Sequence, residues 1–117
     1  MDNKKRPSRG EVWWIQLEPA KIHQTVKSRP CLVISVDQIN FGPANVIIVV
    51  PIEFENLGLA SHIHIDPKNV GIKSTGYIHC EDIRLIPMSQ VQAYAGFLSE
   101  EKLEEVEETL SLMLGLS

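Results

Sequence analysis

An imidazole and a carboxylate stand two positions apart in residues 76–81, directly after a glycine-punctuated loop. Side chains two apart on a strand share one face, so His79 and Glu81 are expected to project into the same space. A second imidazole, His23, and the guanidinium of Arg29 lie in the polar stretch before an apolar run. These four groups suit proton transfer around a phosphodiester, with the arginine stabilising charge on the phosphate.

The overall composition is that of an ordinary globular domain. The chain has 117 residues, of which 44% are apolar and 22% charged, and this length matches one domain. It has a polar N-terminus and no apolar run near the roughly 18 residues of a membrane span. We therefore expect a cytoplasmic protein that does not enter the membrane. Cys31 and Cys80 lie inside apolar runs, which predicts two reduced, buried thiols.

The acidic charge is concentrated at one end of the chain. The net charge is −4, but residues 99–117 hold six glutamates and one lysine. The remainder has nine acidic and ten basic residues, a balance of +1, so it could carry a basic groove. Lys4, Lys5, Arg6 and Arg9 form a basic cluster near the start, which we interpret as solvated, with residues 1–8 a flexible tail.

Short apolar runs separated by turn residues predict a β-rich protein. Pro30 opens one run, where proline is tolerated, and Pro51 near the end of another indicates a bulge or an edge. One helical turn is expected within residues 37–44. The predicted strands are residues 11–18, 30–36, 45–52, 61–66 and 76–81, with further short strands at 83–87 and 94–97. Many short strands with frequent turns predict a small β-barrel.

The C-terminal segment has the pattern of an amphipathic helix. Ser99 is a good N-cap, and Leu98 and Leu103 occupy the two positions of a hydrophobic staple. The apolar stripe at helical spacing consists of Leu103, Val106, Leu110 and Met113. We expect this helix to pack on the barrel with its glutamate-rich face outward.

Two further imidazoles alternate with isoleucines in residues 61–66. His62 and His64 share one strand face, but a metal needs a third and often a fourth ligand, and none is evident nearby in the sequence. We interpret this face as solvated. The sequence predicts no metal and no cofactor.

Several short motifs occur in an order and spacing that resembles the MazF/PemK/Kid family, the mRNA-cleaving toxins of type II toxin–antitoxin systems. The similarity runs from about Arg9 into the C-terminal helix and is greatest to the PemK-like branch. The motifs are Arg9-Gly10-Glu11-Val12-Trp13-Trp14, Leu17-Glu18-Pro19, Arg29-Pro30, Val49-Val50-Pro51, Gly71-Ile72, and Gly76 before Cys80.

The resemblance implies a fold, an activity and partners. The fold is a mainly β, small SH3-like barrel with a C-terminal helix, as in CcdB and PemK, with residues 1–117 as a single domain. The activity is metal-independent cleavage of single-stranded RNA at short specific sequences, in which the 2′-hydroxyl attacks the adjacent phosphate. The partners are a cognate antitoxin, single-stranded RNA and a second copy of the chain in a homodimer.

The resemblance also assigns residues to the site, with two departures from the family. The catalytic candidates are His23, Arg29, His79 and Glu81, and the RNA-binding candidates are Lys27, Ser28, Glu53, Phe54, Thr75 and Tyr77. Where the PemK-like branch has Arg-Cys-Asp, this chain has His79-Cys80-Glu81, which keeps a carboxylate but loses a bidentate phosphate donor. Where the family has a threonine, this chain has Glu53, which places a negative charge near the expected phosphate.

Two other functions are compatible with the same fold. One is a catalytically weak module that binds RNA or protein. The two departures from the family, Glu53 and His79, favour this alternative. The other is a gyrase poison like CcdB, which depends on a tryptophan near its C-terminus. This chain has none there, since it ends Met113-Leu114-Gly115-Leu116-Ser117. The endoribonuclease toxin is therefore the leading prediction.

Overall fold

The computed structural model describes residues 6–17, 27–68 and 70–116. Within these ranges the chain is mainly β, with one long helix at its C-terminal end. The strands are β1 Glu11–Leu17, β2 Lys27–Val33, β3 Val46–Glu53, β4 His62–Ile65, β5 Gly76–His79, β6 Arg84–Pro87 and β7 Val91–Phe97. The helices are α1 Asp37–Asn40 and α2 Glu100–Met113, with a 3-10 turn at Met88–Gln90.

The described strands pair in antiparallel fashion and join into one bent sheet. The order is β4-β5-β3-β2-β1-β7, and β6 pairs with β3 off this path. The sheet is barrel-like, although the described strands do not hydrogen-bond into a closed ring. The predicted fold class, a small β-barrel of the SH3-like kind with a C-terminal helix, is confirmed.

Strand β3 lies at the centre of the sheet and changes partner along its length. Its first half, Val46 to Val49, pairs with β6, whereas Ile52 and Glu53 pair with β5. Pro51 lies between the two halves, with Cys31 of β2 as its partner on the other side. A residue without an N–H is tolerated at such a gap. Where the sequence predicted a bulge or an edge at Pro51, β3 thus changes its pairing partner from β6 to β5.

Strand alternation divides the buried apolar residues between the two faces of the sheet. One cluster centres on Val50, Ile52 and Ile78 and is covered by Val106 of α2. The other centres on Ile15, Cys31 and Val49 and lies on the opposite face. Cys31 and Cys80 are both buried free thiols, as predicted, and burial raises their pKa to about 12 and about 11. These thiols are therefore apolar core residues and poor nucleophiles.

Helix α2 begins as its sequence predicts. The Ser99 hydroxyl accepts a hydrogen bond from the Lys102 backbone N–H at 3.2 Å, which satisfies one of the free donors of the first turn. Val106 is fully buried against the sheet, and Leu103 and Leu110 pack beside it. Met113 is 39% exposed, so the buried stripe ends one turn earlier than predicted.

Residues 70–72 link the two ends of the open sheet. Val70 and Ile72 are buried in the same cluster as Val106 of α2, and Gly71 lies against the backbone of Ala95 in β7. Gly71 has a φ of +71°, and a Cβ there would stand 2.2 Å from the Ala95 carbonyl oxygen. Only glycine combines that conformation with so close an approach. The loop before β5 therefore packs directly on β7.

The structure corrects several predicted boundaries. Strand β5 ends at His79 rather than at residue 81, and β7 begins at Val91 rather than at residue 94. Arg6 donates hydrogen bonds to the Asn40 and Gly42 carbonyls and to Asn45 Oδ1, so the predicted tail of residues 1–8 is too long at its C-terminal end. Strand β2 begins at Lys27, three residues before Pro30, which is a buried interior residue opposite Trp14. Among the described residues, no helix has the length and apolar character required to cross a membrane.

Candidate active site

Arg29 and Glu53 form an ion pair at one end of the apolar face that contains Cys31. Cys31 of β2 pairs with Pro51 of β3 in antiparallel register. Continuing this register by two residues along each strand places Arg29 opposite Glu53. The Arg29 Nη1 donates to Glu53 Oε1 at 2.7 Å. Their side chains are 35% and 31% exposed, which leaves the guanidinium accessible from solvent. The guanidinium is therefore held in place by a carboxylate that also neutralises its charge.

Strands β4 and β5 continue this face with two stacked imidazoles. His62 and His79 are directly opposite each other in the register, and their ring centroids lie 3.7 Å apart with an interplanar angle of 11°. The His62 side chain is only 3% exposed and that of His79 14%. Burial, and next the neighbouring His62 imidazole, lower the pKa of His79. A neutral His79 ring can accept a proton.

Glu81 lies in the turn after β5 and binds the histidine pair from one side. Its Oε2 is 2.9 Å from His62 Nε2 and 3.9 Å from His79 Nδ1, and its Oε1 accepts from the Ser61 hydroxyl at 2.7 Å. Partial burial raises the pKa of Glu81, but the hydrogen bonds from His62 and Ser61 outweigh this and lower it to about 2. The carboxylate is therefore ionised at neutral pH.

A second arginine–carboxylate pair lies next to these groups. Arg84 donates two hydrogen bonds to Asp82, at 3.0 and 2.9 Å, and this pairing raises the pKa of Arg84. Its charge also acts on Cys31 and Glu53. Arg84 and Asp82 therefore form a second neutral ion pair within electrostatic range of Glu53.

The predicted RNA-binding residues lie at several places around this face. Tyr77 is opposite Glu53 on β5, and its ring meets that of His64 edge-on with centroids 5.9 Å apart. Phe54 follows Glu53 and is 43% exposed. Lys27 is two residues before Arg29 on the same strand face, and Thr75 directly precedes β5. Ser28 is adjacent to Arg29 in the strand and therefore lies on the opposite face, where its hydroxyl donates a hydrogen bond to Gln92 of β7 at 2.5 Å.

Three of the four catalytic candidates fall within the described residues. His79 and Glu81 lie 3.9 Å apart, although β5 ends at His79 and Glu81 lies in the following turn, so the predicted strand of residues 76–81 is two residues too long. Glu53 falls in electrostatic range of His79. His23 lies outside the described residues, so its position relative to Arg29 stays a prediction. The solvated face predicted for the two histidines of β4 is correct for His64, which is 53% exposed, and wrong for His62, which is 3% exposed.

His62 and the Asp82–Arg84 pair were not among the site residues predicted from the sequence. The alternation in residues 61–66 signalled that His62 shares a face with His64, but the register against β5 decides which residue it meets. The spacing of Asp82 and Arg84 was a usable signal, since side chains two apart in an extended segment are on one side. One donor atom each from His62, His79 and Glu81 lies within 4.8 Å of the other two.

Comparison with known proteins identifies the family. The profile described as PemK-like, MazF-like toxin of type II toxin–antitoxin system matches residues 8–114. The chain belongs to this toxin family. The match includes β1 with its paired tryptophans, the Arg29–Pro30 step and all of α2. The resemblance noted in the sequence is thereby confirmed.

Solved structures with the same fold include other members of this group of toxins. The Mycobacterium tuberculosis toxin MazF-mt6 is 20% identical, with a TM-score of 0.77 over 92% of this chain and 98% of the other. A MazE–MazF structure from Deinococcus radiodurans is 22% identical, with a TM-score of 0.78 over 95% and 97%. An endoribonuclease with its cognate antitoxin from a mycobacterial species is 18% identical, with a TM-score of 0.77 over 95% and 97%. At these identities the likeness concerns the fold.

Proposed function

We propose that this MazF-like toxin is an endoribonuclease that cleaves single-stranded RNA without a metal. The observation that carries the proposal is the arrangement of Arg29, Glu53 and His79 on one polar face. An accessible guanidinium can bind a phosphate, and a largely buried imidazole on the same sheet face can transfer a proton. The family match and the endoribonuclease among the similar structures support the same activity.

In the proposed reaction the 2′-oxygen of a ribose attacks the adjacent phosphorus, and the bond from phosphorus to the 5′-oxygen of the next nucleotide breaks. A base takes the 2′-hydroxyl proton and an acid gives a proton to the leaving 5′-oxygen. The products are a 2′,3′-cyclic phosphate and a 5′-hydroxyl. Arg29 stabilises the negative charge that develops on the phosphate. His79 is one proton-transfer group, and His23 is the candidate for the other.

Glu81 has an orienting role in this proposal. Its carboxylate is 2.9 Å from the His62 nitrogen and 3.9 Å from that of His79. Since His62 stacks on His79, the carboxylate holds the ring that in turn holds His79. Side chains fixed in this way keep a reacting group in its productive geometry. We therefore assign Glu81 and His62 to the positioning of His79.

The test is incubation of the purified protein with a mixed single-stranded RNA in EDTA. We expect fragments that carry 2′,3′-cyclic phosphate and 5′-hydroxyl ends, and no cleavage where the 2′-hydroxyl is replaced by hydrogen. Cleavage that needs an added divalent cation contradicts the metal-independent mechanism. Binding without cleavage favours the second candidate function, a binding module. That alternative is supported by Glu53, which already neutralises Arg29 in the free protein.

The carboxylate of Glu53 is expected to weaken RNA binding. Glu53→Gln removes a negative charge beside the phosphate site and keeps an oxygen that can accept from Arg29. We expect about fivefold tighter binding of an uncleavable 2′-O-methyl RNA at low salt. Glu104→Gln, an equal charge change at an exposed position on α2, is the control and should leave the dissociation constant almost unchanged. Weaker or unaltered binding by Glu53→Gln would show that its charge does not oppose the phosphate.

We further propose a cognate antitoxin as partner and a homodimer as the assembled state. Similar structures contain a MazE–MazF pair and an endoribonuclease with its cognate antitoxin. Outside residues 99–117 the chain has a balance of +1, so RNA and an acidic segment of an antitoxin can compete for the same positive charge. In this arrangement the antitoxin blocks the groove by electrostatic mimicry of the RNA backbone.

A further inference from the structure

His62, His79 and Glu81 form a cluster in which three metal-ligating side chains face one another. The two histidines are cross-strand neighbours, one on β4 and one on β5. The β4–β5 register sets the positions of both Cα atoms, and each strand is anchored by buried isoleucines, Ile63 and Ile78, that pair in the next rung. The backbone of both histidines is therefore fixed by strand pairing, and their side chains need only rotate to meet a ligand.

The distances between the donor atoms suit a small divalent cation. Glu81 Oε2 lies 2.9 Å from His62 Nε2 and 3.9 Å from His79 Nδ1, and one donor from each residue falls within 4.8 Å of the others. Zinc bonds of roughly 2.0–2.1 Å to nitrogen and oxygen in a tetrahedral site require ligands about 3.3 Å apart. The two separations from Glu81 lie on either side of this value, and the two ring nitrogens lie within 4.8 Å of each other.

We propose that His62, His79 and Glu81 bind Zn²⁺, with one coordination position left open to water. Two imidazole nitrogens and one carboxylate favour zinc over magnesium or calcium, which prefer oxygen ligands. The two rings are nearly parallel, at 11°, so their planes must open for both nitrogens to point at one ion. The χ2 torsion of histidine is soft enough to allow this rotation. Metal binding thus replaces the stack with a shared ion.

The outer edges of the two rings indicate that the zinc is exchangeable. His62 Nδ1 and His79 Nε2 are buried and have no hydrogen-bond partner among the described residues. In tightly bound zinc sites the second ring nitrogen donates to a carboxylate, carbonyl or water, and losing that contact weakens binding tenfold or more. Within the described part of the chain no protein group supports these second nitrogens, and we expect zinc to bind and leave reversibly.

Zinc in this cluster inhibits the toxin, an inference that rests on the proposed function. The metal takes the lone pair of His79, so this ring can no longer exchange a proton with RNA. It also places a cation beside Glu81, which then ligates the metal rather than orienting His62. The same three side chains therefore have two roles. Without a metal they hold and supply the proton-transfer group His79, and with zinc bound they are the ligands of the inhibiting ion.

The first experiment measures binding on the full-length protein with no RNA present. Zn²⁺ titrated by calorimetry, or Co²⁺ followed by its visible absorption, should bind with one ion per chain. Glu81→Gln and His62→Ala should each weaken binding at least tenfold. Glu81 is 42% exposed, so its variant keeps the fold, and circular dichroism checks His62→Ala. The matched control is His64→Ala, which removes an exposed imidazole two residues away on the same strand and should leave affinity unchanged.

The second experiment adds Zn²⁺ to the cleavage assay in metal-free buffer. Wild-type cleavage should fall with the same midpoint as binding, and EDTA should restore it. Binding to a chain that never cleaves RNA supports the zinc site and counts against the proposed function. Three outcomes would overturn the zinc proposal. These are no binding of zinc by the wild type, a loss of zinc affinity in His64→Ala as large as in the two ligand variants, and a thiolate charge-transfer band of the Co²⁺ complex that shows cysteine ligation.

Discussion

We expect Arg29→Ala to slow RNA cleavage by at least a hundredfold without unfolding the protein. In the proposed mechanism the guanidinium stabilises the charge that develops on the phosphate, and removing one such donor from a developing oxyanion costs about 10²–10³ in rate. Its side chain is 35% exposed, and the loss of a partly exposed ion pair changes stability by only about 1 kcal/mol or less. Single-turnover cleavage rates at saturating RNA isolate the chemical step.

Arg9→Ala is the matched control for this variant. Arg9 forms an ion pair with Glu107 at 2.6 Å, away from the Arg29–Glu53 pair, so its loss removes an equal charge without touching the site. We expect its cleavage rate to stay within about twofold of the wild type, because a distant charge acts only through the screened field of the protein. Full activity in Arg29→Ala would remove Arg29 from the mechanism. An equal loss in both variants would indicate a general charge effect.

Gly71→Ala should lower the free energy of unfolding by about 3 kcal/mol or more. Glycine alone adopts the φ of +71° without strain, and the added Cβ would stand 2.2 Å from the Ala95 carbonyl oxygen. The backbone strain accounts for roughly 1–2 kcal/mol, and the displaced contact with β7 accounts for the rest. Chemical denaturation followed by the fluorescence of Trp13 and Trp14 measures the change.

Gly58→Ala separates these two contributions. Gly58 has a φ of +69°, close to that of Gly71, but no atom of the described residues lies within 4 Å of the point that a Cβ would occupy there. This variant should therefore show the conformational strain alone, about 1 kcal/mol. Equal destabilisation by the two substitutions would mean that the close approach of Gly71 to Ala95 contributes nothing to stability.

Local sequence patterns predicted most of the elements because local physics decides them. The Ser99 cap and the apolar spacing of Leu103 and Val106 act within a few turns, and α2 begins where they indicate. The apolar runs place the strands within a few residues of their observed bounds. The largest boundary errors are three residues, at both ends of β2 and at the start of β7. At the start of β2, the polar residues Lys27 and Ser28 are held in the strand by pairing with β1.

The candidate site was only partly predictable, because the sequence of a strand does not specify which strand it pairs with or in which register. Parity on a predicted strand of residues 76–81 selected His79 and Glu81, although β5 ends at His79 and a turn brings Glu81 back to it. The family resemblance selected Arg29. The ion pair between Arg29 and Glu53 depends on the pairing of β2 with β3. The contact between His62 and His79 depends on the register of β4 against β5. A shift of one residue in either register would turn these side chains to the opposite face.

The amino-acid sequence alone determined the mainly β fold, the capped C-terminal helix, the two buried thiols and the family. Each follows from residue types within short windows, or from the order of motifs along the chain. Only the tertiary structure decided that Glu53 neutralises Arg29, and that His62 stacks on His79 and binds Glu81. Pairing between distant segments brings these groups together, and the free energy that selects the pairing comes from the apolar core beneath them.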